Sequence, residues 1–103
     1  MSRREQIEAM LANEPNDHFL QYALANEYEK EGRYEESLKL FDVLRQASPP
    51  HIPTFLRSAQ VLVQLERIED ARTILREGIE LARAAGASHP AAEMSELLTS
   101  LGR

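Results

Sequence analysis

Three histidines, His18, His51 and His89, are the side chains of this sequence best suited to holding a metal ion. Each stands beside a helix start in an inter-helix turn, and none has a partner at i+3 or i+4. A zinc site needs three or four converging ligands, so exposed turn histidines are the expectation and no metal is assigned. Cysteine is absent, which excludes disulfides, thiolate ligands and a cysteine nucleophile. No serine lies in a nucleophile elbow, and neither a glycine-rich phosphate loop nor a His-Glu-x-x-His sequence occurs. The sequence therefore predicts no enzyme, no catalytic residue and no cofactor.

Charged residues supply the other candidate chemistry. Glu27, Glu29, Glu31, Glu35 and Glu36, interrupted by Lys30 and Arg33, could meet a basic partner or a cation. Oxygen-ligand metal loops need closer, glycine-assisted spacing, so a solvated helix end and turn is expected here. Arg72, Arg76 and Arg83 alternate with Glu69, Glu77 and Glu80. Pairs such as Arg76 and Glu80 are i,i+4 neighbours, which predicts a salt-bridged outer face. The chain has 103 residues and a formal charge of −5, against a nucleic-acid partner held through phosphate contacts. Residues 1–50 carry 6 basic and 10 acidic groups and residues 51–103 carry 6 and 7, so the acidity lies mainly in the first half. The longest apolar runs, Ala9–Ala12 and Tyr22–Ala25, are far shorter than the ~20 residues of a membrane span. The charged opening Met-Ser-Arg-Arg-Glu-Gln lacks the apolar core of a secretory leader. A soluble cytoplasmic domain with no membrane partner is the expectation.

The elements that would position these residues are helical. Apolar residues recur at three- and four-residue spacing with no sustained alternation. Pro15, Pro49, Pro50, Pro53 and Pro90, with Gly32 and Gly86, mark the boundaries. Between them the pattern predicts helices over about 3–12, from Asp17 as N-cap to Gly32, and over 34–47, 53–65, 68–84 and 90–101. The first carries Ile7, Met10 and Leu11 on one face, and the last carries Ala91, Met94, Leu97, Leu98 and Leu101. The 53–65 helix is apolar on most of its circumference, through Phe55, Leu56, Ala59, Val61, Leu62, Val63 and Leu65. Such a helix is buried on most sides, so it should be central, with helices packed before and after it.

Shifting the sequence against itself by 34 positions gives the strongest signal. Arg33-Tyr34-Glu35-Glu36-Ser37 falls on Arg67-Ile68-Glu69-Asp70-Ala71, Leu24-Ala25 on Ser58-Ala59, Tyr28 on Leu62, and Leu40-Phe41 on Ile74-Leu75. The period fits a unit of two helices and two short turns. Ala25, Ala59, Ser37 and Ala71 would let paired helices approach closely, while Tyr28, Phe41, Leu62 and Leu75 fill the space between them. Gly78, inside a helix, costs about 1 kcal/mol relative to alanine, which close helix contact would offset.

These residues resemble the tetratricopeptide repeat family, whose pattern is Trp-x2-Leu-Gly-x2-Tyr, then Ala-x3-Phe, then Pro. The first repeat reads Gln21-x2-Leu24-Ala25-x2-Tyr28, Ser37-x3-Phe41 and Pro49; the second reads Phe55-x2-Ser58-Ala59-x2-Leu62 and Ala71-x3-Leu75. It departs from the family at Gln21, at Ser58, at Glu66 in place of the turn glycine, and at Arg83 in place of the closing proline. The resemblance implies an all-α fold, a short right-handed solenoid of about six helices in antiparallel pairs. It divides a single domain, 1–103, into helix B of a preceding half repeat (3–15), repeat 1 (17–49), repeat 2 (52–84) and a terminal capping helix (90–101). The linker Ala84–His89 falls out of register.

In this family the helix A residues on the concave face make most partner contacts. Carried across, these positions are Phe19, Tyr22, Asn26, Glu29 and Lys30, then Pro53, Leu56, Gln60, Val63 and Gln64. Tyr22, Asn26, Glu29, Leu56, Gln60, Val63 and Gln64 form the predicted partner-binding set, mixing apolar groups with amides to suit a peptide or helix. The chaperone-binding members grip a terminal carboxylate with lysine, asparagine and arginine. Asn26 matches, but Tyr22 replaces the lysine, Arg57 the second asparagine, and the remaining basic positions fall near Ala87 and Ala91. Binding to chaperone C-terminal tails is therefore not expected. The resemblance implies a protein-binding scaffold or adaptor. The alternative is a self-assembly module or regulatory subunit that uses its terminal helices, with Ile7, Met10 and Leu11 packing on a second copy.

Overall fold

In the computed structural model, which describes residues 1–102, the chain forms α1 (Arg3–Asn13), α2 (His18–Lys30), α3 (Tyr34–Arg45), α4 (Pro53–Gln64), α5 (Ile68–Ala84) and α6 (Ser88–Ser100). There is no strand among those residues. Two compact units are present, Met1–Ser48 with α1 to α3, and a second that begins at Pro49 with α4 to α6.

The helix starts follow their local chemistry. Ser2 caps α1 in a reciprocal box, its Oγ accepting from the Glu5 amide at 3.1 Å while Glu5 Oε1 accepts from the Ser2 amide at 2.8 Å. Asp17 Oδ1 accepts from the Leu20 amide at 3.0 Å, as expected of an N-cap. Pro53 occupies the first turn of α4. Beside it, His51 Nδ1 lies 2.6 Å from the buried Thr54 hydroxyl, so this histidine does have an i+3 partner. Helix α6 begins at Ser88, two residues before the expected Pro90. A proline in the first turn leaves no hydrogen bond broken, because the first four amides of a helix have no internal acceptor.

One turn joins α2 to α3, α4 to α5 and α5 to α6. In the first, the Gly32 amide donates to Glu29 O at 3.0 Å and the Arg33 amide to Tyr28 O at 2.8 Å. The same pair recurs as Glu66 to Val63 and Arg67 to Leu62, and as Gly86 to Arg83 and Ala87 to Ala82. The linker that falls out of register in sequence thus has the same geometry as the other two turns. The turn needs a left-handed residue. Gly32 supplies it at φ +77°, whereas Glu66 is held at φ +59° against its own Cβ.

In the first unit Leu20, Leu24 and Ala25 of α2 are buried with Phe41 and Leu44 of α3. Ser37 is fully buried and donates its hydroxyl to Ala25 O at 2.9 Å, so the backbones are close where both side chains are small. Gln21, in the place of the family's large apolar residue, donates from Nε2 to Pro15 O at 2.9 Å and ties the turn to the helix. On α1 only Ile7 is buried. Met10 is 47% exposed and Leu11 half-buried, so the expected apolar edge of three residues is reduced. A helix covered along one line by α2 buries one line of side chains.

Charge holds α1 where apolar contact is thin. Arg4 bonds both carboxylate oxygens of Glu31, at 2.9 and 3.0 Å, and pairs with Glu8 at 2.9 Å. Arg3 pairs with Glu27 at 3.4 Å, and the Tyr28 hydroxyl donates to Glu8 Oε2 at 3.2 Å. Arg33 sits 4.8 Å from the centre of the Tyr28 ring and grips Glu36 through two bonds of 2.7 and 2.6 Å. The acidic run is therefore engaged with arginines, Glu27, Glu31 and Glu36 each pairing with one rather than simply facing water.

In the second unit α4 packs against both α5 and α6. Thr54, Phe55, Ser58, Ala59, Val61 and Leu62 are buried on α4, with Ala71, Leu75, Gly78, Ile79 and Ala82 on α5 and Ala91 and Met94 on α6. Leu97, Leu98 and Leu101, expected on the inner stripe of α6, are half-buried. Arg72 turns inward, with 12% of its side chain exposed, where an outer-face position was expected. It donates to Leu101 O at 2.7 Å, closing the C-terminal end of α6, where a cation is favoured by the helix dipole. It also pairs with Glu69.

A Cβ built on Gly78 would lie 2.6 Å from Phe55 Cβ and 2.6 Å from Met94 Sδ, so this position is a close contact of three helices. Alanine gains about 1 kcal/mol of helix propensity, but Phe55 Cβ is fixed to its backbone and cannot yield cheaply. Gly78→Ala should lower stability by about 1–3 kcal/mol in urea titration. Glu66→Gly should raise it by about 0.5–1 kcal/mol, since the backbone conformation there suits glycine. The Arg33 hydrogen bonds hold the Glu36 carboxyl below its ordinary value, and the Ser2 bonds do the same to Glu5. The folded chain therefore binds these protons less readily than the unfolded one. Their contribution is complete above about pH 4.5, the ordinary value, and is lost as pH falls through the depressed folded values. Melting temperature measured from pH 7 to pH 2.5 should drop on this acid limb, and Glu36→Gln should flatten it.

Candidate functional site

The predicted partner-binding residues occupy the exposed sides of two helices. On α2, Phe19, Tyr22, Asn26 and Glu29 follow one another at three- or four-residue spacing and share a face. Leu20 and Leu24, on the other side of the helix, are buried. Phe19 is 77% exposed, the most open aromatic of the chain's described residues. Tyr22 is half-buried, its ring centroid 6.0 Å from that of Phe41 at an interplanar angle of 54°. This tilted contact fixes the ring by packing on α3. Asn26 and Glu29 are half-buried and engaged with neighbouring groups. Lys30, exposed at the end of the helix, pairs with Glu27 at 3.1 Å.

On α4 the corresponding face is Pro53, Leu56, Gln60, Val63 and Gln64. Pro53, Gln60 and Gln64 are exposed, while Leu56 and Val63 are half-buried between them. Gln60 Oε1 accepts from Arg57 Nη1 at 3.0 Å, and its amide NH2 is a donor group. Behind this face Phe55, Ser58, Ala59 and Leu62 are buried, so the outer row rests on a packed inner row. The α2 set shares one helix face in the first unit, and the α4 set shares one in the second. Each patch combines apolar area with amide groups, the chemistry of a surface that reads both side chains and backbone of a polypeptide.

The histidines do not converge. His18 and His89 are exposed, His51 is bonded to Thr54, and His89 Nε2 is 3.4 Å from Glu93 Oε1, an i+4 partner that the sequence reading passed over. Among the described residues no three of His, Asp and Glu are grouped closely enough to hold a metal ion. On α5 the ion pair joins Glu69 to Arg72, while Arg76, Glu80 and Arg83 line a shallow groove against α6. The network of Arg3, Arg4 and Glu8 with the acidic turn was also missed. Its local trace is the Arg4/Glu8 spacing, but its other bonds join residues that sequence spacing alone does not connect. Burial and its bond to Glu8 raise the Tyr28 hydroxyl above the ordinary tyrosine value, so it remains a neutral donor within that network.

Solved structures with this arrangement include two of a tetratricopeptide repeat domain protein from Salinibacter ruber. Its solution structure is 30% identical, with a TM-score of 0.80, covering 85% of this chain and 89% of that one. A crystal structure described in the same terms is 29% identical, with a TM-score of 0.76, covering 84% and 96%. No curated protein matches the sequence. The sequence model of the tetratricopeptide repeat matches residues 28–101, from the last turn of α2 through α6. With most of its length matched and its three hairpin turns alike, the chain belongs to the tetratricopeptide repeat family.

Proposed function

We propose that this chain is a cytoplasmic adaptor that binds a peptide or helical segment of another protein, in the concave groove of the family, through the outer faces of α2 and α4. Tetratricopeptide repeats mediate protein–protein interaction, and these are the helix A faces that members of the family use. The observation that carries the reading is Phe19. A phenylalanine 77% exposed at the start of α2, beside a tyrosine held by Phe41, is an apolar anchor awaiting a partner. Asn26, Gln60 and Gln64 would bond the partner's backbone, and Leu56 and Val63 would take its apolar side chains. Arg57, which stands in place of a chaperone-tail asparagine, is directed to Gln60. No helix of the described residues is long and apolar enough to cross a membrane.

The self-assembly alternative keeps Met10 as its apolar contact, since Ile7 is already covered within the chain. Affinity capture from the native cell with the intact protein and with a Tyr22→Ala/Gln60→Ala variant tests the adaptor reading. The expected result is specific partners lost with the variant, whose helix content by circular dichroism stays unchanged. Undiminished capture by the variant overturns it. Sedimentation equilibrium showing a concentration-dependent dimer would favour the alternative.

A further inference from the structure

Helix α4 starts without a capping side chain. Ile52, at its N-cap, makes no side-chain bond, whereas Ser2 and Asp17 cap α1 and α2. The side-chain bond at this end joins His51 Nδ1 to Thr54 Oγ1 at 2.6 Å, and His51 is the one side-chain partner of this hydroxyl among the described residues. Thr54 is 0% exposed, so its hydroxyl proton cannot turn to water. A buried hydroxyl is costly unless that proton meets an acceptor, and Nδ1 accepts only when it carries no proton itself. The bond is therefore satisfied by a neutral His51 with its proton on Nε2 and Thr54 donating to Nδ1. Protonation inverts this. An imidazolium carries N–H at both nitrogens, so the Thr54 proton either faces another donor or turns into the packed interior. Both arrangements leave a buried donor unsatisfied. The positive end of the α4 dipole opposes the same charge.

We propose that His51 and Thr54 form a proton-sensitive clasp, which fixes the first turn of α4 while the imidazole is neutral and releases it on protonation. The ring swings out to water, and Thr54 loses its tie to the chain before the helix. Pro53 and Leu56 ride on that turn, so the start of the α4 outer face loosens with it; the clasp itself does not depend on what that face binds. The nearest charges along the chain are Arg45, which pairs with Asp42 at 3.0 Å, and Arg57, bonded to Gln60. On the helices packed against α4, the charged groups toward its start are Glu80 and Arg83 of α5 and His89 and Glu93 of α6. All four are exposed, and His89 pairs with Glu93 at 3.4 Å, so solvent screens them. The Thr54 bond is the contact that separates the two charge states. Unperturbed histidine changes charge near pH 6.5, roughly. The folded chain takes up this proton less readily than the unfolded one, so the contribution is complete above about pH 6.5 and is lost as pH falls below it. That window lies above the acid limb of Glu5 and Glu36.

The test follows the imidazole nitrogens and backbone amides of the whole isotopically labelled chain from pH 8 to pH 5. At pH 8 the His51 nitrogen shifts should report a bare Nδ1 and a protonated Nε2. The amides of residues 54–56 should move with the His51 midpoint as the pH falls. Thr54→Val removes the hydroxyl and keeps the branched shape, and it should raise that midpoint by about half a pH unit or more. His51→Asn places a carbonyl acceptor beside Thr54 at every pH, so it should keep the turn ordered and abolish the amide transition. Residue 51 is half-buried and lies outside the helix, and this variant decides the matter alone if Thr54→Val does not fold. A proton on Nδ1 at pH 8, a midpoint unmoved by Thr54→Val, or an amide transition that survives in His51→Asn would each overturn the proposal.

Discussion

Helices whose backbones nearly touch must have almost nothing between them, and the close pairs in this chain depend on that condition. It is met by Ser37 against Ala25 in the first unit and by Gly78 against Phe55 in the second. Large buried residues accompany the small contact, Phe41 and Leu44 in one case and Leu75 and Met94 in the other, and complete a thin core. Because the contact is made by absence of volume, substitution is asymmetric. Trimming a flanking leucine opens a cavity that neighbours can partly close, whereas adding a methyl at the centre moves a helix.

The connections reinforce this arrangement. All three hairpin turns close with the same two backbone bonds, although one uses glutamate as its left-handed residue and another lies outside the sequence period. The backbone geometry is thus set by the packing of the helices it joins, and the preferred residue type lowers its energy without deciding its form. Arg72 shows the same economy, one guanidinium serving both Glu69 on its own helix and the final carbonyl of α6.

Most helix boundaries were legible in the sequence because they are local events, a proline, a capping aspartate or a left-handed glycine. Gly78 was legible as a close contact because nothing local justified it. The start of α6 was missed through reading Pro90 as a boundary, although its ring is equally at home inside a first turn. The direction of Arg72, the exposure of Met10 and the engagement of Glu27 and Glu31 depend on which helix lies alongside, and residues 24 to 27 positions apart leave no periodic mark. For the candidate faces, the repeat names a helix and a side; on α2 and α4 Gln60 and Gln64 are exposed, while Tyr22, Asn26, Glu29, Leu56 and Val63 are half-buried.

Arginine–carboxylate pairing around Ile7 gives the α1 end of the chain a different physical character from α4 to α6. Ionic strength screens partly exposed ion pairs while leaving apolar burial largely intact, so added salt loosens α1 before it reaches the second unit. Local opening free energy then falls toward the N-terminus. Slowly exchanging amides would gather in α4 and α5, and the solution ensemble at high salt would include molecules in which α1 has lifted from α2 while the rest stays folded.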